Sequence, residues 1–242
     1  MFGPSVASAP PDAKRSGKPL TIDLVFVMDC TASMDPWINA ARDKLQSIVS
    51  TLKGSFANLE LRVGFVGYRD FKDPKPFEIH DLSSEVDTVV RFISAVKPSG
   101  GGDPAEDVLG GLEKASKLAW SGKGRRLIIF GDAPGHGLLY NDWGTMIKND
   151  AFPDFDADGA IGKKLIKDFA KQRVDMTFVQ MTKNTVKMTD LFQEWYNSSP
   201  YKNMSFQVLD LGADTSRFLE EISLVVTSTI QSVSAGMSAL LN

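Results

Sequence analysis

A chain of 242 residues, 43% hydrophobic and 24% charged, can bury a full core, and its length suits one large domain better than two. Its formal net charge of −3 and the lack of a long basic run exclude a dedicated electrostatic grip on nucleic acid. The single cysteine, Cys30, excludes an intrachain disulfide framework and a cysteine-based zinc site, and fits a reducing, cytoplasmic setting.

In chain order, residues 1–19 are rich in Pro, Ser and Ala and place their charges after the apolar residues, the reverse of a secretory signal; they read as a disordered leader. "TIDLVFVMD" (21–29) is a short apolar run with the length of a buried strand, and "WINAARDKLQSIVSTLKG" after it repeats apolar positions every three or four residues, as a helix does. "ELRVGFVGYRD" (60–70) is a second strand. "FEIHDLS" (77–83) follows across only "KDPKP", so short a connection that it predicts an antiparallel hairpin at the sheet edge. Helical patterns at "EVDTVVRFISAV" and "AEDVLGGLEKASKLAW" lead to the strand "RRLIIFGD" (125–132). "IGKKLIKDFAKQRV", the strand "DMTFVQMT" (175–182), "NTVKMTDLFQEWYN" and the strand "MSFQVLDL" (204–211) continue the alternation. The uncharged "ISLVVTSTIQSVSAGMSALLN" (222–242) has too many Ser, Thr and Gln residues for a bilayer span and reads as a helix docked on the domain, with 234–242 its end or a tail. No membrane insertion is expected.

Alternating strands and helices predict an α/β fold: a doubly wound, Rossmann-like, mostly parallel sheet with helices on both faces and one antiparallel edge strand. In such a sheet, ligands bind beyond the carboxyl ends of the strands, where the strand order reverses. The loop after the first strand presents "DCTAS", and the loop after the 125–132 strand presents "GDAPGHG". A third, "KPSGGGDPAED" (97–107), has three glycines that let the backbone bend before Asp103, with Pro104 suited to a first helical turn and Asp103 near its cap. Asp29, Thr31, Ser33, Asp103 and Asp132 converging would make an all-oxygen site, which suits Mg²⁺, with Mn²⁺ or Ca²⁺ as alternatives. Alternation along the first loop would turn Asp29, Thr31 and Ser33 to one ion while Cys30 and Ala32 face inward. The bland alternative is a tight turn in which Asp29 accepts backbone N–H groups and Thr31 or Ser33 caps the next helix.

Other motifs compete. Asp29 at a strand end also fits a Mg²⁺-dependent phosphotransferase or phosphatase nucleophile, but that chemistry usually adds an aspartate two residues on, where Thr31 stands, and past Lys97 at the start of the third loop none of the three loops brings a lysine for a transferring phosphoryl group. "DFDADGAI" (154–161) opens like a calcium loop, yet its twelfth position is Leu165 instead of a bidentate Glu; a loop that caps the next helix explains it as well. His136 could support Asp132, and His80 belongs to the edge strand. "SGKGRR" (121–126) is a solvated turn. Met34, Trp37 and "NDWGTM" (141–146) could rim the site, or Trp37 could pack the first helix.

"DCTAS", then "GGGDPAEDVLGGL" and "IIFGDAPGHG", resemble the von Willebrand factor A domain and its metal-ion-dependent adhesion site, most nearly the A-type domains associated with alpha-kinases; "AFPDFDADG" and "DMTFVQMTKNTVKMTDLF" resemble later parts of that subfamily. The resemblance covers residues 20–233. It implies six strands in the order 3-2-1-4-5-6, and a non-enzymatic, intracellular protein-binding or scaffolding role, regulatory or targeting, with metal-dependent protein partners. Asp29, Thr31 and Ser33 fall on the family's Asp-x-Ser-x-Ser element, Asp132 on its last metal-site aspartate, and Asp103 where adhesion-type members have threonine. Three carboxylates around an ion of charge two would repel an acidic partner, so the expected metal acts partly as a clamp on three loops.

Overall fold

Parallel strands covered on both faces need apolar side chains in both directions. β1 (Leu20–Asp29) meets that demand, since every side chain from Leu24 to Met28 is apolar and at most 2% exposed. The computed structural model describes residues 19–56, 58–141, 150–201, 204–212 and 214–239, the side chains of 237–239 excepted. The expected leader, the segment 142–146 and the last residues lie outside them, apart from Pro19.

The other strands are β2 (Leu59–Tyr68), β3 (Phe77–Ser83), β4 (Gly124–Gly131), β5 (Asp175–Gln180) and β6 (Phe206–Asp210). They form one six-stranded sheet in the order β3-β2-β1-β4-β5-β6. Only β3 runs antiparallel, as the short connection demanded. Leu24, Phe26 and Met28 point to the face covered by α1 (Asp35–Ser55), α2 (Val86–Ala95) and α6 (Phe218–Ala239). Val25 and Val27 point to the face covered by α3 (Val108–Ser116), α4 (Ala160–Lys171) and α5 (Val186–Asn197). β1 therefore separates two apolar layers, and the strand order reverses beside it, between β2 and β4.

Several boundaries differ from the sequence reading, three of them for a clear local reason. β2 stops at Tyr68, so Arg69 and Asp70 belong to a loop; Arg69 is drawn off the strand by Lys75 O at 2.9 Å and Glu78 Oε1 at 2.7 Å. β5 ends at Gln180, two residues early, because Thr182 caps a short 3-10 turn. The helix expected over 105–120 spans only Val108–Ser116. Its start is delayed because Glu106 forms a parallel bridge with Gly135, its N–H donating to Pro134 O at 3.0 Å. Asp107, not Asp103, is then the N-cap, accepting from Gly110 N at 2.8 Å. The helix ends where the Trp120 indole N–H takes the Ala115 carbonyl at 2.8 Å.

The "SGKGRR" turn is tied down rather than merely solvated: the fully buried Asp23 carboxylate accepts from Ser121 N and Gly122 N, both at 2.7 Å, and pairs with Arg62. α6 docks as expected, with the Phe218 ring 5.3 Å from Phe130 and 6.4 Å from Trp37. Among the described residues no helix is long and apolar enough to cross a membrane.

Arg126 fastens α6 to the sheet. It is 1% exposed, donates to Thr229 Oγ1 at 2.8 Å and Thr177 Oγ1 at 3.0 Å, and lies 3.5 Å from Asp175. Replacing it with Ala leaves those acceptors unmatched around a cavity. Arg126→Ala is therefore expected to lose about 3 kcal/mol of stability in urea unfolding. A loss below about 1 kcal/mol would mean that α6 is held by apolar contacts alone.

Candidate metal centre

Asp29 ends β1 with no exposed surface. Thr31 folds back on it: the Thr31 N–H and Oγ1 both donate to Asp29 Oδ1, at 2.8 and 2.7 Å. Thr31 Oγ1 lies 3.4 Å from Ser33 Oγ, so the two hydroxyls share one side of the turn, as their spacing predicted. Cys30 is buried, but Ala32 is exposed, contrary to expectation. A 3-10 turn over Ala32–Met34 ends the strand-like alternation after Thr31. The same turn buries Met34 and Trp37 in the core, so neither rims the site.

The turn opens into a pocket of about 350 Å³, lined by Thr31 and Ser33 with Gly101, Asp103, Glu106, Asp132 and Thr182 among others. The three predicted loops do meet, and a fourth joins them: Thr182, after β5, donates its hydroxyl to the Asp132 carbonyl. The glycine loop is anchored from outside the three motifs. Asp73, in the β2–β3 connection, accepts from Gly101 N at 3.2 Å, and Gly100 sits at φ +88°, where a Cβ would lie 2.1 Å from that carboxylate. Ser99 N donates to Cys30 O at 3.0 Å and joins this loop to the end of β1.

Two carboxylates at the site carry an oxygen without a partner. Asp29 Oδ2 and Glu106 Oε2 are both buried and unbonded. Burial pushes Asp29 well above the ordinary carboxylate range, against the two Thr31 hydrogen bonds, with Asp132 adding to the rise and Arg69 opposing it. Burial also pushes Glu106 up, and the charge of Asp29 adds most to that, followed by Asp70, Asp73 and Asp103. Unpaired carboxylate oxygens are costly inside a protein, and a hard divalent cation is the partner their chemistry suits. The donor set thus fits Mg²⁺, Mn²⁺ or Ca²⁺.

Asp103 lines the pocket, but its carboxylate is occupied: Oδ1 accepts from Ala105 N at 2.9 Å and Oδ2 from Ala151 N at 3.0 Å. It lies against a second polar network, in which one ligand atom each from Asp70, Asp103 and His136 come within 4.8 Å of one another. His136 does not bond Asp132. Its Nε2 meets Asp70 Oδ1 and its Nδ1 meets Asp150 Oδ1, both at 2.8 Å, while Phe71 stacks on the ring at 4.6 Å. Asp150 also accepts from Gly137 N and Phe152 N, each at 2.8 Å. Each carboxylate of this cluster and both imidazole nitrogens are hydrogen-bonded, and it braces the loops behind the pocket. His80 lies on β3, outside it.

The acidic run at 154–161 caps α4. Both Asp156 oxygens are taken, by Ile161 N and Gly162 N at 2.8 Å and by the Tyr140 hydroxyl, and Asp158 accepts from Ala160 N at 3.1 Å. Sequence reasoning missed Glu106, Arg69, Asp70, Asp73, Asp150 and Thr182. Only Glu106 had a local signal, as a second acid three residues after Asp103 in a loop already singled out.

Residues 23–142 match the family model of the von Willebrand factor A domain. Alpha-protein kinase vwkA of Dictyostelium discoideum is 28% identical over 212 residues, which are 86% of this chain and 33% of that protein. An ariadne-like RING finger protein, R811, of Acanthamoeba polyphaga mimivirus is 30% identical over 116 residues, 48% of this chain and 11% of that one. The chain spans at most a third of the length of these curated relatives. Among solved structures, the SpRpn10 VWA domain superposes with a TM-score of 0.53 at 12% identity, covering 84% of this chain and 94% of its own. The pilus adhesin SpaC from Lactobacillus rhamnosus GG gives 0.57 at 12% identity, over 91% of this chain and 31% of the adhesin. At that identity the likeness is one of fold.

Asp150 gives the bracing network a measurable signature. Burial alone would raise its carboxyl, but His136 and the Gly137 and Phe152 N–H groups outweigh burial and hold it below the usual range. A depressed carboxylate contributes stability that is present above its unfolded pKa of about 3.9 and lost as pH falls through the lower folded value. Asp150→Asn is expected to cost about 1–2 kcal/mol near pH 7 and to flatten the acid-side loss of stability, both read by unfolding at about pH 7 and pH 3. Parallel pH profiles for the two proteins would show that the Asp150 charge does not brace the loops.

Proposed function

Because residues 23–142 belong to the von Willebrand factor A domain family, we propose that this domain is a cytoplasmic protein-binding module that holds a divalent cation, Mg²⁺ first among the candidates, at the ends of β1 and β4. On this reading Asp29, Thr31, Ser33 and Asp132 would hold it, with Asp103 fixing the loop at its side. The observation that carries this reading is Asp29 Oδ2, fully buried without a donor beside a pocket lined by two hydroxyls and further carboxylates. A bound cation would offset that buried charge and clamp the loops on which the pocket's shape depends. Mg²⁺ suits a pocket that leaves room for waters, since it keeps several of them.

The partner surface on this reading is the rim of the pocket, and the occupant is a protein. The vwkA relative is named as a kinase, but the matching stretch is about a third of that protein, so a regulatory or targeting role beside such an activity fits better than catalysis within this domain. Turnover at Asp29 has little support. Its Oδ1 is already bonded twice by Thr31, and no lysine or arginine among the described residues lines the pocket to stabilise a transferring group.

Calorimetric titration of Mg²⁺ and Mn²⁺ into the wild-type chain and Asp29→Asn tests the site, with capture of partners from cell extract in the presence and absence of chelator. Binding is expected in the wild type, weakened at least about tenfold in Asp29→Asn, with capture reduced by chelator and by the substitution alike. Equal metal affinity in both proteins and capture indifferent to both changes would dispose of the reading, and hydrolysis of a generic phosphate ester lost in Asp29→Asn would replace it with the phosphotransferase alternative.

A further inference from the structure

We infer that Glu106, rather than Asp103, is the third carboxylate ligand of the proposed cation, an inference that rests on the metal-binding reading above. Glu106 is 4% exposed, lines the pocket, and has a buried Oε2 that bonds nothing. Asp103, by contrast, spends one oxygen on Ala105 N and the other on Ala151 N.

The backbone shows how Glu106 is delivered. Its bridge to Gly135 ties it to the loop that follows β4 and carries Asp132. On its other side stands Gly101, at φ +83°, where a Cβ would lie 3.1 Å from Glu106 Oε1 and 3.4 Å from Thr31 Cβ. Only a backbone without a side chain separates Glu106 from the residue that bonds Asp29. Glu106 is thus brought to the Asp29–Thr31 turn from two loops at once. Among the described residues no arginine or lysine is paired with it, so a second orphaned oxygen beside that of Asp29 is either a large uncompensated cost or a ligand position. A pocket that both acids approach, between hydroxyls suited to the same ion, favours the ligand position.

This assignment separates two roles that the "GGGDPAED" loop could have given to one residue. Asp103 positions the loop against residue 151, and Glu106 coordinates. It also predicts opposite behaviour with and without metal. A residue whose buried charge lacks a partner destabilises the metal-free protein, and the same charge stabilises the metal-bound one.

The test compares the wild-type chain with Glu106→Gln, Asp103→Asn and Asp29→Asn, using Mn²⁺ as probe. Affinity is read by electron paramagnetic resonance of free Mn²⁺ and stability by thermal melting in chelator and in Mn²⁺. Glu106→Gln is expected to weaken Mn²⁺ binding at least about tenfold, while Asp103→Asn stays within about threefold of the wild type. In chelator Glu106→Gln should melt at or above the wild-type temperature, and in Mn²⁺ it should lose most of the wild-type gain. A merely structural Glu106 would instead lower melting in chelator. Wild-type Mn²⁺ affinity in Glu106→Gln, with binding lost in Asp29→Asn, would overturn this inference and leave the metal site standing. No Mn²⁺ binding in the wild type would overturn both.

Discussion

The constraint on which this structure turns is a carboxylate with no exposed surface, held on one oxygen and bare on the other. Asp29 sits at the end of a deeply buried strand, where β1 is flanked on both sides and covered on both faces. Thr31 satisfies Oδ1 twice, and nothing satisfies Oδ2. A hydrophobic strand end needs no acid, and an ordinary turn would be served by an exposed one. Placing such a group at the switch point of the strand order costs stability that the two apolar layers must supply, the trade often found where a fold presents a ligand site.

Around that point the loops are fixed by charges that never face the pocket. Arg69 bonds Glu78, Lys75 O and Lys97 O, and so ties the β2–β3 hairpin to the chain segment that leads into the three glycines. Asp73 accepts from the Gly101 N–H, and Asp107 caps α3. His136, between Asp70 and Asp150, couples the β4 loop to the hairpin loop and to the chain that resumes at residue 150. Each of these groups is bonded, and all but the half-buried Asp73 are buried, so the loops have few alternative arrangements open to them. The conformational cost of ordering a glycine-rich loop falls on folding, before any ligand binds.

The sheet was legible because its signals are local and repeated. Apolar runs of strand length, helices with clear periodicity, and a connection too short for a crossover gave each strand its place and gave β3 its direction. Within a residue or two, the ends followed as well. What the sequence could not disclose were side-chain directions after the backbone leaves regular structure. Ala32 turned outward because a 3-10 turn replaced strand alternation, Trp37 turned inward onto Phe218, and Asp103 lost the cap position because Glu106 was drawn into a bridge with Gly135. That bridge joins residues 29 apart in sequence, and no window of local pattern contains it. Asp70 and Asp150 escaped notice for the same reason, since their partner His136 lies in a third loop.

Charge at the pocket sets what can dock there. With Asp29, Asp132 and Glu106 all contributing, the carboxylates outnumber the charge of a divalent ion by one. At an effective dielectric near 20, a unit of excess charge about 5 Å away is worth about 3 kcal/mol to an incoming ion. That is enough to disfavour a partner that would complete the metal shell with its own acid, the mode implied for adhesion-type domains. On the inference drawn for Glu106, a glutamate supplied from within would take the place of such a ligand. On the proposed reading a cation would act on the partner surface through the loops it joins: removing it would free the turn at Thr31, the glycine loop and the β4 loop from one another, and the rim they form together would lose its shape.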